Sequence, residues 1–160
     1  MKKIILFVLI PVLALNYAIA ASGPTIMDMR NEIFSNSQEI KSHLKDSKDP
    51  ILLNSMWDSS IMAVSQLDAY FYIVGIFNTI KEKDLSDASF NYLVDWLNQM
   101  KNTNELNIKS LNTAESTSAP ETKIYILKLK SNFDELNRRI VKELQRVLQF
   151  QVSTAKKTAK

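Results

Sequence analysis

Between Leu53 and Phe77 a stripe of residues recurs three and four apart without a break. It comprises Leu53, Met56, Ser60, Ala63, Leu67, Tyr70, Val74 and Phe77. A spacing that averages about 3.5 residues keeps one line of a helix turned toward a partner helix. A strand, whose side chains change face at every residue, cannot present that line to one core. A second line of this kind is Ile126, Leu129, Phe133, Leu136, Ile140, Leu144 and Val147. Weaker versions are Ile26, Met29, Ile33 and Ile40, with Leu44 beside them, and Phe90, Leu93, Leu97, Met100 and Leu111. In the last of these, Asn104 and Asn107 occupy positions where the repeat expects apolar residues.

The helix breakers fall between these segments. The chain has two glycines and four prolines. Pro24, Pro50 and Pro120 each stand near the start of a periodic segment. Proline suits a first helical turn, where its missing N–H would have had no partner. Asp49-Pro50 reads as a cap followed by the first helical residue. Ser118 and Glu121, three apart, read as a capping box. Short connections near 45–49 and 82–85, and a Ser/Thr-rich one from Thr113 to Ala119, make consecutive helices antiparallel. The expected fold is therefore all-α, an antiparallel up-down-up-down four-helix bundle over residues 21–152. From Ser153 the chain loses apolar periodicity, and residues 153–160 are expected to form a disordered basic tail.

The N-terminus carries an address. Lys2 and Lys3 precede an apolar run from Ile4 to Leu15, interrupted by Pro11, and Ala18-Ile19-Ala20 supplies a small-x-small exit. This pattern describes a secretory signal peptide over residues 1–20, cleaved before Ala21. No later segment reads as a membrane span, because polar residues interrupt every apolar cluster. There is no cysteine, so the exported domain must be held by its core alone. No Asn lies in a glycosylation sequon. Together these features point to a bacterial periplasm. The chain has 20 Lys+Arg against 17 Asp+Glu, and losing Lys2 and Lys3 leaves 18 against 17. A near-neutral domain gives no reason to expect nucleic acid.

Several kinds of chemistry lack their parts. With no cysteine and one histidine, His43, a nucleophile-base pair would have to be built on that one ring. No Gly-rich loop is present to cradle phosphate. Glu39, His43 and Asp46 share one side of a helix but lack ligands from other segments to complete a metal site. A haem would have to use His43 with Met29, Met56 or Met100. The expectation is a non-enzymatic protein with no cofactor. The competing class is a small-ligand or cofactor-binding bundle, haem or metal, and Asn104 and Asn107 are its best support.

Two surfaces remain as candidates for binding. Met62, Ala69, Tyr72 and Ile76 form a second apolar stripe on the 50–79 segment, roughly opposite the first, where a helix at a surface should be polar. Gly75 beside it permits close approach of another backbone. Arg139, Lys142 and Arg146 line one face of the last segment, followed by Lys156, Lys157 and Lys160. They suit an acidic protein or an anionic surface, although the same charges also balance the acidic first hundred residues of the domain. The sequence thus predicts an exported module that works through a protein partner or by self-association, in an inhibitor, immunity or holdase-like role.

Overall fold

A computed structural model describes residues 24–79 and 86–158, with side chains as far as residue 151. The expected leader, the Ala21 cleavage point, the 82–85 connection and the side chains of Lys156, Lys157 and Lys160 lie outside these residues. The described residues form four helices and no strand. They are α1 (Ile26–His43), α2 (Pro50–Thr79), α3 (Asp87–Glu115) and α4 (Pro120–Thr158).

The starts of these helices follow from local chemistry, though not always the chemistry expected. Pro50 and Pro120 are each the first helical residue. Pro24 instead precedes the cap. Thr25 caps α1, its hydroxyl accepting the Asp28 N–H at 3.1 Å while the Asp28 carboxylate accepts the Thr25 N–H at 2.7 Å. Those bonds hold the Asp28 carboxyl below its ordinary value. The Ser118–Glu121 capping box does not form. Ser118 donates back to the Ala114 carbonyl at 2.5 Å and so finishes α3. The carboxylate of Asp49 takes the Ala119 N–H at 2.8 Å. Asp49 also begins α2, since its carbonyl accepts the Leu53 N–H at 3.0 Å. A single residue thus serves two helix N-termini, its backbone carbonyl opening α2 and its carboxylate meeting the N–H just before α4, where the partial positive charge of unpaired N–H groups favours it.

The end of α4 also differs from expectation. The helix runs to Thr158, through most of the stretch expected to be a disordered tail. Ser153 to Thr158 contains neither glycine nor proline. Extending a helix that already exists fixes one residue per new bond, so apolar periodicity is not needed to carry it onward.

The core is the set of lines read from the spacing. Leu67, Leu97, Ile126, Leu129, Phe133, Leu136 and Ile140 have no appreciable exposure, and Met29, Ile33, Met56 and Met100 are nearly as deep. Asn104 is buried too, so α3 neither frays nor turns outward there. Its amide donates to Asn137 Oδ1 at 3.2 Å. Across α1 and α4, the Asn36 amide donates to Asn132 Oδ1, and Asn132 Nδ2 donates to Glu32 at 2.7 Å.

Burial is not uniform along the lines. On α2 it is complete through Tyr70, while Val74 and Phe77 are only partly covered. On α4 it is complete through Ile140; beyond it Val147 is still buried, while Leu144 and Phe150 are partly covered. The short helix α1 explains the change. Arg30 meets Asp68, and Lys41 lies over the Trp57 ring, eleven residues further on one helix and eleven back on the other. Asn36 meets Asn132, and His43 meets Tyr125, seven residues apart on both helices. Continued at that rate, the first residue of α1 is level with Tyr72 of α2 and Lys142 of α4. Past that level α1 covers nothing.

Candidate functional site

On α2 the buried line and the second apolar stripe are separated by about half a turn, so packing one leaves the other outside. Tyr72 is 74% exposed, Ile76 46% and Met62 43%, while Ala69 is half-buried. The helix carries more apolar surface than the fold covers. Only 28% of its most apolar stretch is buried, and by length and composition α2 is able to cross a membrane. That corrects the expectation that no segment after the leader resembles a span. The core helix of a soluble protein passes the same test, and here Leu53, Met56, Ala63, Val64, Leu67 and Tyr70 face the protein interior.

The Thr113–Ala119 connection does not cover the stripe. Helix α3 continues to Glu115, and the turn that follows is tied to Asp49 at the opposite end of α2 from Tyr72 and Ile76. The flanks of the stripe are structured. On one side Arg30 grips Asp68 with two bonds of 2.8 Å, and this contact holds the Asp68 carboxyl below its ordinary range. On the other side Trp96 donates its indole N–H to the Gln66 carbonyl at 3.3 Å. Tyr92, half exposed, lies tilted against Trp96 with ring centroids 6.2 Å apart. These two aromatic rings extend the patch onto α3. Their sequence signal was available, since Tyr92 and Trp96 stand four apart and off the buried line of α3. Aromatic residues enriched at a surface patch are typical of binding faces.

The basic face of α4 is less open than its charge suggests. Arg139 pairs with Glu135 at 2.6 Å, Arg138 with the same carboxylate at 2.9 Å, and Arg146 with Glu143 at 2.8 Å. Lys142 is exposed. Glu143 also accepts the hydroxyl of buried Tyr70. Burial, and then the Glu143 charge, push the Tyr70 phenol well above its ordinary value, so it stays a hydrogen-bond donor. Arg139 and Arg146 are therefore held in pairs within α4.

The residues considered for cofactors are dispersed. His43 is exposed and lies 5.5 Å from the Tyr125 ring, Glu39 pairs with Lys128 at 2.7 Å, and Met29, Met56 and Met100 are core residues. Among the described residues, no three His, Cys, Asp or Glu side chains group as metal ligands. An open groove of about 890 Å³ lies between α3 and α4, with Glu105, Ile108, Asn137, Val141 and Lys142 in its lining. No known family model matches the chain, and no curated protein or solved structure does so either.

Proposed function

We propose that this chain is an exported, non-enzymatic helical module that acts by docking a protein surface, or a second copy of itself, through the outer face of α2. The observation that carries the reading is the exposed stripe of Met62, Tyr72 and Ile76 on a helix whose other side already serves the core. Large exposed apolar patches are uncommon on monomeric proteins and mark sites of association. Tyr72 is the natural anchor, because a tyrosine offers a large rigid contact at little entropic cost. Inhibition, immunity or holdase action all use such a face.

The accompanying fold reading is an up-down-up-down bundle. Its support is the direction of the pairings. Rising numbers on α1 meet falling numbers on α2 and α4, and Asn104–Asn137 and Lys130–Glu115 give the same sense for α3 and α4. Export to the periplasm rests on the charged start, the apolar run and Ala18-Ile19-Ala20.

The test is light scattering over a range of concentrations, together with pull-down from the native compartment, for the natural protein and Tyr72→Glu. We expect the natural protein to associate and Tyr72→Glu to be folded by circular dichroism yet monomeric and without partner. A variant that unfolds would mean the tyrosine belongs to the core. Unchanged association would mean the stripe is not the contact. A second reading, a small ligand in the α3–α4 groove, draws on the buried Asn104 Oδ1 without a partner among the described residues. An absorbance spectrum and metal analysis of the purified protein would reveal a bound cofactor.

A further inference from the structure

The exposed face of α2 is acidic as well as apolar. Asp58, open to water, stands one turn before Met62 on the same line. On the neighbouring α3, Asp95 is exposed three residues past Tyr92. Helix α2 and residues 87–100 of α3 hold Asp58, Asp68, Asp87 and Asp95 and no lysine or arginine. Of these, Asp68 is answered by Arg30 of α1.

The outer face of α4 has the opposite sign and apolar residues of its own. From residue 138 to its end at Thr158, α4 holds six lysines and arginines against one carboxylate, Glu143. Asp134 and Glu135, one turn earlier, mark where this basic stretch begins, and Glu135 pairs with Arg138 and Arg139. The Arg138 side chain is nevertheless 71% exposed, and Lys142 is exposed beside it. Val141 and Leu148 are exposed on the same stretch. Helices α2 and α4 are each packed between α1 and α3 and meet one another only slightly, so their outer faces look away from each other. One molecule cannot bring these two faces together, and two molecules can.

We propose that the α2 stripe of one copy docks on the outer face of α4, from Arg138 to Leu148, of a second copy. This deepens the docking role given to α2 and rests on it. Met62 to Tyr72 is about 15 Å of helix and Val141 to Leu148 about 10 Å, so the two apolar stretches are of similar length. Asp58 and Asp95 at the rim of one face are complementary to Arg138 and Lys142 on the other, and such charges steer partners into register. Pairing two α2 stripes face to face would set aspartates against aspartates, which opposes association. A contact between two different faces leaves each copy with one of them free, so the assembly continues past two copies.

The test is sedimentation velocity on the natural protein, Tyr72→Glu, the double variant Arg138→Glu/Lys142→Glu, and an equal mixture of the two variants. We expect the natural protein to form species larger than a dimer as concentration rises. Each variant alone should be folded by circular dichroism and monomeric. The mixture should give a dimer and nothing larger, because one variant keeps the α4 face and the other keeps the α2 face. Arg138→Gln/Lys142→Gln, which removes the charges without reversing them, tests the same contact should the glutamate pair fail to fold. It should weaken association about tenfold, and raised salt should weaken association of the natural protein. A mixture that stays monomeric would overturn head-to-tail docking. If the α4 variants associate as the natural protein does while Tyr72→Glu does not, the stripe is a docking face and α4 is not its partner. A natural protein that is monomeric at every concentration also overturns the proposal, and retention of a different protein through Tyr72 would then give the stripe to that partner.

Discussion

The two ends of the molecule are built from the same helices with the same residue spacing, yet they are not equally closed. At one end the turns before α2 and α4 meet, and Asp49 joins them through the Ala119 N–H. Around Phe133 and Leu129 all side chains of the buried lines are sealed. At the other end Val74, Phe77 and Leu144 follow the same spacing and are only partly covered, although Phe90 and Val147 beside them are buried. The difference teaches that spacing selects which face turns inward, while the number of helices at a given level decides how far it is buried. Among the described residues, helix α1 has 18 residues against 30 for α2, and its first turn lies level with the point where α2 begins to be only partly covered.

The contrast is sharpest in core deletions. Phe133→Ala, at the closed end, should cost about 3–5 kcal/mol, and Phe77→Ala, at the open end, only about 1 kcal/mol. Urea titration of both variants measures this, and equal losses would break the comparison. Next in size is Asp49→Ala, which leaves the Ala119 N–H without its acceptor and should cost about 1 kcal/mol in the same assay. Gly75→Ala should act the other way at the open end. With no described atom in the way of the new methyl group, the protein should gain up to about 1 kcal/mol from helix propensity alone.

The smallest effect belongs to the Arg30–Asp68 pair at the boundary between the ends. Asp68→Asn should cost less than about 1 kcal/mol, because Asp68 is half exposed and water screens the pair. The Asp68 carboxyl is lowered by its hydrogen bonds from Arg30. Its contribution is therefore complete above the ordinary value of 3.8 and fades as pH falls through the lower folded value. Parallel denaturation curves of the natural protein and Asp68→Asn at pH 7 and pH 2 should converge at the acid end.

The four helices and most of the core were readable from spacing, because a 3.5-residue repeat has one structural solution. Leu53 to Tyr70 and Ile126 to Ile140 are buried as that repeat requires. What could not be read depends on contacts between distant segments. Ser118 has the right spacing for a cap with Glu121, but it is taken by Ala114, and the acceptor that replaces it, Asp49, lies seventy residues away. The residues of the outer stripe were readable as a periodicity. Their exposure was not, because it depended on whether the Thr113–Ala119 connection reached them. Tyr92 and Trp96 were readable as an aromatic pair off the buried line of α3, but not as neighbours of the stripe, because that depends on the Gln66 carbonyl, a backbone atom that residue types do not reveal.

The buried amide contact between Asn36 and Asn132 has a bearing on all of this. Sliding α1 by one turn along α4 would set Asn36 against Leu129 or Leu136, stranding an amide in hydrocarbon. The contact therefore works as an index pin. It fixes how far along α4 the short helix sits, so every copy of the chain draws the boundary between its sealed and half-covered lengths at the same turn.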